Sequence, residues 1–200
     1  MKIRIHALHS QYLDAAVELH LQAFPNFFLS RLGRGFVLEL YRAYVARPKA
    51  VGLVAVDEAG DVHGVLLGTS EPEGFYRRLL FCRGWAFALA SVPVLLRHPV
   101  IVGRLLRAVR YRGREKQQPL GALLSSIAVD PSDQRLGIGR MLVQDWLQRI
   151  RAAGCSRAYL TTDAGGNEAV NLFYQRLGWT LDKTYATPEG RRMNRYVFIW

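Results

Sequence analysis

Val129-Asp-Pro-Ser-Asp-Gln-Arg-Leu-Gly-Ile-Gly-Arg140 leaves an apolar strand and enters a long amphipathic helix. Asp130-Pro131 predicts a turn, and Gly137 and Gly139 fall where the helix begins. Such a loop aims several backbone N–H groups at one point, with the positive end of the helix dipole beneath them. That is an anion site, and it suits a diphosphate. Glycines at 137 and 139 let a phosphate approach the backbone with no Cβ in the way. The spacing is neither the G-x-G-x-x-G of a dinucleotide turn nor the G-K-[ST] ending of a P-loop.

Outward from this segment, strand and helix signals alternate. Ile3 to Ala7 reads as a strand, and Ser10 as the cap of a helix through Tyr12, Ala16, Leu19 and His20. Phe24-Pro-Asn-Phe-Phe-Leu29 breaks that helix, and a second runs from about Gly35 to Ala46, before Pro48. Val51 to Val56 and Val62 to Thr69 form a hairpin around Glu58-Ala-Gly-Asp61. Tyr76 to Leu96 and Pro99 to Tyr111 read as two helices parted by Arg97-His-Pro99. Gly121 to Val129 is a strongly apolar strand. The helix from Gly137 to Ala153 carries Ile138, Leu142, Trp146 and Ile150 on one stripe and stops at Gly154. Arg157 to Thr162 is the next strand, and Glu168 to Leu177 a helix closed by Gly178. Trp179 to Tyr185 and Met193 to Trp200 close the chain as a hairpin through Pro188-Glu-Gly190. This order implies one mixed sheet with helices on both faces, an α/β (mixed α+β) arrangement.

The composition, half hydrophobic over 200 residues, is that of a globular chain with a substantial core. Cys82 and Cys155 make no C-x-x-C pair, which points to a reducing cytoplasm. Met1-Lys-Ile-Arg-Ile-His6 alternates like a strand and has no apolar signal core. The longest apolar run, Gly84 to Leu96, contains Pro93 and is shorter than a bilayer span, so no transmembrane helix is expected. The net charge of +11 is concentrated. Residues 75–118 hold ten basic side chains against Glu115 alone, leaving +2 for the rest of the chain. One domain over residues 1–200, with a basic helical insert at about 75–118, accounts for this pattern.

A second motif follows the first by roughly thirty residues: Asn167-Glu-Ala-Val-Asn171-Leu-Phe-Tyr174-Gln-Arg-Leu-Gly178-Trp179. Gln134-Arg-Leu-Gly-Ile-Gly139 resembles the Q/R-x-x-G-x-G/A signature of the GNAT superfamily of acyl-CoA-dependent N-acetyltransferases. The second motif resembles that family's N-x-x-A-x-x-x-Y-x-x-x-G-F segment, with Trp179 in place of Phe. Together the two motifs cover about residues 121–180. The resemblance implies a single GNAT-like domain around a mixed, mostly antiparallel sheet of about seven strands. It implies acetyl-CoA as co-substrate, direct transfer of acetyl to a primary amine, and no metal.

The resemblance also assigns roles. Gln134, Arg135, Gly137, Ile138, Gly139 and Arg140 would grip the CoA diphosphate, the two arginines adding charge. Ile127 and Val129 would meet the pantetheine arm through backbone groups, on a strand that splays from its neighbour and leaves donors free to polarise the thioester carbonyl. Asn167 and Asn171, one helical turn apart, would be further CoA contacts. Tyr174 would be the general acid at the departing sulfur. Without the resemblance, Tyr174 reads as an ordinary packed helix aromatic and the two asparagines as solvent-facing residues.

No general base stands out. Some family members place a Glu on the strand before the loop; here Leu123-Leu-Ser-Ser-Ile127 offers only hydroxyls, of which Ser126 could orient a water. Asp163 and Glu71 are carboxylates near strand ends, and His20, His63 and His98 titrate in the useful range.

The acceptor site of this fold is built from variable parts, here Phe24-Pro-Asn-Phe-Phe-Leu-Ser-Arg-Leu-Gly33, the basic insert and the last hairpin. A positive insert favours an anionic acceptor, and an aromatic loop suits a sugar ring. Phe27-Phe-Leu-Ser-Arg-Leu-Gly33 followed by the basic helical insert resembles acetyltransferases of bacterial surface-polysaccharide pathways, which implies an amino sugar on a nucleotide or lipid carrier. Peptides and other small amines are the alternative acceptors. Arg104, Arg107 and Arg110 alternate with Leu105, Leu106 and Val109. Such a helix packs on the domain, on a second subunit in a homodimer, or on an anionic membrane at the inner face. A non-catalytic CoA-sensing, nucleic-acid-binding or membrane-binding module is the other functional class. No nucleic-acid module accompanies the arginines.

Overall fold

The computed structural model describes residues 2–25, 27, 29–75, 78, 84–87, 89, 90, 121–187 and 190–200. Strands β1 (Arg4–Ala7), β2 (Ala50–Val56), β3 (Val62–Thr69) and β4 (Ala122–Val129) pair antiparallel in chain order. β5 (Arg157–Asp163) runs parallel to β4, and β7 (Arg192–Ile199) inserts between β5 and β6 (Thr180–Ala186). The result is one seven-stranded sheet ordered β1-β2-β3-β4-β5-β7-β6, mostly antiparallel as the family resemblance implies.

Alternation along the strands divides the interior into two cores. In β2, Val54 and Val56 join one core while Leu53 and Ala55 join the other. Helices α1 (Leu13–Ala23) and α2 (Arg34–Val45) cover the first core through Val17, Leu19, Val37 and Tyr41. Helices α3 (Ile138–Ala152) and α4 (Glu168–Arg176) cover the second through Leu142, Trp146, Ile150 and Tyr174. α3 comes unusually close to β3 because β3 has no side chain where the helix crosses. A Cβ on Gly64 would lie 2.9 Å from Leu142 Cδ1, and one on Gly68 would lie 2.4 Å from the indole Nε1 of Trp146.

Two departures from regularity shape β4. Its register against β3 slips between Leu67 and Gly68, which face Ser126 and Leu124, so Ser125 is an extra, bulged residue. Against β5 it pairs only at Ala122 with Ala158 and Leu123 with Tyr159. At that junction Gly121 has φ +123, and a Cβ there would lie 2.4 Å from the Arg157 carbonyl oxygen. Only glycine admits this approach. Beyond Leu123 the strands part.

One expected boundary moves. Ser10, expected to cap α1, opens a 3-10 turn (Ser10–Tyr12), and α1 starts at Leu13 without a side-chain cap. The Leu8 N–H bonds the Gly52 carbonyl, extending β1's hold on the chain, and the Tyr12 N–H then closes a tight turn onto His9. Of the helices expected over 76–96 and 99–111, only Arg78, 84–87, 89 and 90 are described, and all are helical. The rest of the basic insert, Asn26 and Phe28 of the aromatic loop, His98, Cys82, and Pro188-Glu189 of the last turn lie outside the described residues. No described helix is long and apolar enough to cross a membrane.

Candidate active site

β4 ends at Val129, and the chain turns through Pro131–Asp133 with the Asp130 carboxylate accepting from the Ser132 N–H at 2.8 Å. Arg135 has φ +72 and Gly137 φ +83, so two left-handed residues rotate the loop onto the axis of α3. The arginine holds this conformation at a cost of about 1 kcal/mol that glycine escapes. Gln134, Arg135, Leu136, Gly137 and Arg140 are all exposed. The first bond of α3 is Met141 N–H to the Gly137 carbonyl, so the N–H groups of Gly137, Ile138, Gly139 and Arg140 precede the helical ladder. None has a backbone partner among the described residues outside the helix. A Cβ at Gly137 would meet nothing within 4 Å. An open cradle of free donors at a helix N-terminus fits a diphosphate.

Gly139 stands where α3, α4 and the end of β4 meet: a Cβ there would lie 3.4 Å from Phe173 and 3.7 Å from Val129, ordinary van der Waals contact, so the position also admits a small side chain. The parting of β4 from β5 begins after Leu123, at the other end of β4, and continues to this convergence. The register of β4 against β5 includes no residue beyond Leu123, so the β5-facing side of the rest of β4 has no strand partner among the described residues. A slot that begins at a phosphate cradle and runs between two strands with free backbone groups fits the pantetheine arm of CoA. Ile127 and Val129, on this stretch of β4, pack their side chains against the α3 core.

Tyr174 lies on α4 in the second core. It is buried against Phe173, Trp179 and Tyr196, and its hydroxyl has no described hydrogen-bond partner. Burial pushes its pKa well above the ordinary phenol value, which keeps the proton on the oxygen.

The two asparagines of the second motif have different surroundings. Asn171 is buried and its amide is fully used inside the domain. Its nitrogen donates to the carbonyls of Asp163 (2.9 Å) and Asn167 (2.8 Å), while its oxygen accepts from Asn194 and from the Tyr196 hydroxyl, both at 2.9 Å. It locks α4 to β5 and β7 and has no group left to offer a ligand. Asn167 donates to the Thr162 hydroxyl at 2.7 Å, and its amide oxygen has no described partner.

The bulge turns two hydroxyls toward the α1/α2 side of the sheet. The Tyr44 hydroxyl of α2 donates to Ser125 Oγ at 2.8 Å, and Ser126, half-buried, shares the parity of Ala128 in that core. Nothing local in the sequence marks Tyr44 for this contact; its ring packs tilted against Phe75 with centroids 5.0 Å apart. Of the carboxylates and imidazoles considered as bases, Asp163 is held by a two-pronged contact to Arg191 and Glu71 is paired with Lys49 at 3.2 Å. His63 is held between Asp57 and Asp133. His20 is buried with Nδ1 3.2 Å from the Tyr41 hydroxyl, Nε2 unpartnered among the described residues, and a pKa lowered by burial to about 4. No cluster of three or more candidate metal ligands occurs among the described residues.

Several solved structures share this architecture. A GNAT-family protein from Desulfovibrio desulfuricans is 13% identical, with 99% of each chain covered and a TM-score of 0.64. The ribosomal-protein-S18-alanine N-acetyltransferase of Escherichia coli is 16% identical over 99% of this chain and 94% of that one, with a TM-score of 0.60. An aminoglycoside 6'-N-acetyltransferase of Acinetobacter baumannii is 16% identical over 93% of this chain and 96% of that one, with a TM-score of 0.59. At these identities the likeness is one of fold. No curated protein matches the sequence closely. The sequence profile of the acetyltransferase (GNAT) family matches residues 13–179, from the start of α1 to the end of the second motif. The loop at α3, the strand seam beside it and this match over most of the chain agree: the protein belongs to the GNAT family of acetyltransferases.

Proposed function

We propose that the protein moves an acetyl group from acetyl-CoA directly to the amine of an amino sugar carried on a nucleotide or lipid diphosphate. The observation that carries the donor half is the seam where β4 and β5 part beside the free N–H groups of the α3 first turn. Bound acetyl-CoA supplies the activated acyl group. Gln134 and the 137–140 backbone hold its diphosphate, with Arg135 and Arg140 adding charge. Ile127, Val129 and Asn167 line the arm. A β4 N–H without a β5 partner polarises the thioester carbonyl. Ser126 orients the water that takes the amine proton, and Tyr174 holds a proton for the departing sulfur. Positioning supplies most of the rate, because the paired reactants behave as though highly concentrated.

The acceptor half rests on chemistry at the edge of the α1/α2 core. Phe24 and Phe27, both partly exposed, have ring centroids 6.1 Å apart beside the buried His20, an aromatic edge suited to a sugar face. The charge of residues 75–118 suits the anionic carrier. In the helical stretch 84–90, Phe87 packs on Phe36 and Ala90 on Gly35, while Trp85 (71% exposed) and Leu89 (64%) face outward. That outward pair within an arginine-rich sequence supports peripheral contact with an anionic membrane, where a lipid-carried sugar would be found. Pelleting with anionic but not neutral vesicles is the expected result.

The deciding assay is acetyl-CoA-dependent thiol release across amino sugars, nucleotide amino sugars, polyamines, amino acids and peptides. Turnover of nucleotide amino sugars alone supports the full proposal. Turnover of peptides or polyamines alone sinks the sugar assignment, and release with no amine sinks the transferase reading.

A further inference from the structure

His63, near the start of β3, stands between two carboxylates. Its Nδ1 is 2.6 Å from Asp133 Oδ2, and its Nε2 is 3.3 Å from Asp57 Oδ2, at ion-pair distance though outside hydrogen-bond alignment. All three side chains are less than a fifth exposed. Asp57 spends its other oxygen on the N–H groups of Ala59 and Asp61, which fixes it to the β2–β3 turn. Asp133 belongs to the turn that delivers the chain into Gln134; its N–H bonds the Asp130 carbonyl and its carbonyl accepts from Leu136. The Asp130 N–H reaches the His63 carbonyl at 2.9 Å. One residue of β3 therefore grips the approach to the anion cradle with both main chain and side chain.

The charges around this point are unbalanced. Asp57, Asp130 and Asp133 face His63 from the turn and the loop, and no other cation pairs with them among the described residues. Glu58 and Asp61 of the same turn are exposed. α3 presents the apolar Ile138 and Leu142 to the neighbouring Gly64.

We propose that His63 is a positioning residue for the donor: as an imidazolium it clamps the diphosphate loop to β3 and cancels the negative charge that Asp133 brings to its threshold. The proposal rests on the reading of residues 134–140 as the acetyl-CoA site. Only the doubly protonated ring can donate toward both carboxylates; the neutral ring has one N–H and turns a lone pair on the other. The Asp133 hydrogen bond, then the nearby Asp57 carboxylate, hold the His63 pKa above the ordinary imidazole value despite the opposing effect of burial. A raised pKa means the clamp is complete at lower pH and is lost as pH rises through the folded-state value. Once it is lost, an unpaired carboxylate precedes a site that must accept a diphosphate.

The test is acetyl-CoA affinity by titration calorimetry from pH 7 to pH 9 at fixed ionic strength, a window above the secondary phosphate ionisation near pH 6. Wild-type Kd is expected to rise about fivefold across it, the scale of one partly exposed ion pair. H63Q should show a flat profile at the weak, high-pH value. D133N, which removes the charge instead of its partner, should show a flat profile at the tight value, and it serves if H63Q does not fold. A flat wild-type profile, or an H63Q or D133N profile with the wild-type slope, overturns the clamp. Absence of acetyl-CoA binding by wild type at every pH is a separate result: it overturns the donor-site reading and the clamp with it.

Discussion

Replacing Gly68 with alanine tests how α3 is held against the sheet. The added Cβ would fall 2.4 Å from Trp146 Nε1 and 2.6 Å from its Cε2 and Cζ2. Contacts that short cannot exist, and Trp146 is fully buried with no free side to swing into. The indole or the whole of α3 must therefore move. Overpacking of this kind costs about 1–3 kcal/mol, and backbone–ring collision puts G68A near the upper end, about 3 kcal/mol. For a domain of this size each kcal/mol lowers Tm by about 2–4 °C, so a loss of about 6–12 °C is expected in a thermal melt. The cause is separable from a general strand effect by a double-mutant cycle. W146F removes part of the ring that collides, together with an indole N–H that has no described partner. The G68A/W146F pair should recover about half of the G68A loss, a coupling energy of about 1–2 kcal/mol. A G68A protein within about 0.5 kcal/mol of wild type, or strict additivity with W146F, would refute the packing argument.

Other expectations follow from the site. Y174F should lower turnover by about tenfold or more at saturating acetyl-CoA and leave acetyl-CoA Kd unchanged, as loss of a proton donor requires; steady-state kinetics with calorimetry separates the two. N171A breaks the amide hub among Asp163, Asn167, Asn194 and Tyr196, leaving buried polar groups unpaired, and should cost about 2–4 kcal/mol in urea unfolding. R140Q should raise the KM for acetyl-CoA several-fold at low salt and less at high salt, since Arg140 is exposed and its contribution is screened.

What could be read from the sequence was local. Gly137 announces the anion loop because a left-handed turn favours a missing side chain, a need written at the residue itself. The two-residue alternation of Leu53-Val-Ala-Val56 likewise carries its burial pattern in its own order. The features that stayed hidden join distant positions. Ser125 meets Tyr44 across 81 residues only because β4 bulges there, and a one-residue slip of register leaves no compositional trace. His63 meets Asp133 across 70 residues, and neither has a local pattern that names its partner. Asn171 shows the converse: a motif position expected to face a ligand is taken up by Asn194 and Tyr196 of β7, which the motif does not include.

The short pairing of β4 with β5 also has a mechanical side. Strands β1 to β4 form one continuous ladder and β5, β7 and β6 another, and the two ladders are stitched by two residue pairs. The remaining connection runs through the side chains of the second core, where α3 leans across from β3. A molecule lying in the slot and bonding to both strands would act as the missing rungs. Amide exchange at Leu160 to Asp163 should then slow together with that at Leu124 to Val129 when acetyl-CoA is added, while β1 and β2 change little. The donor in this protein would be a structural member of the sheet for as long as it stays bound.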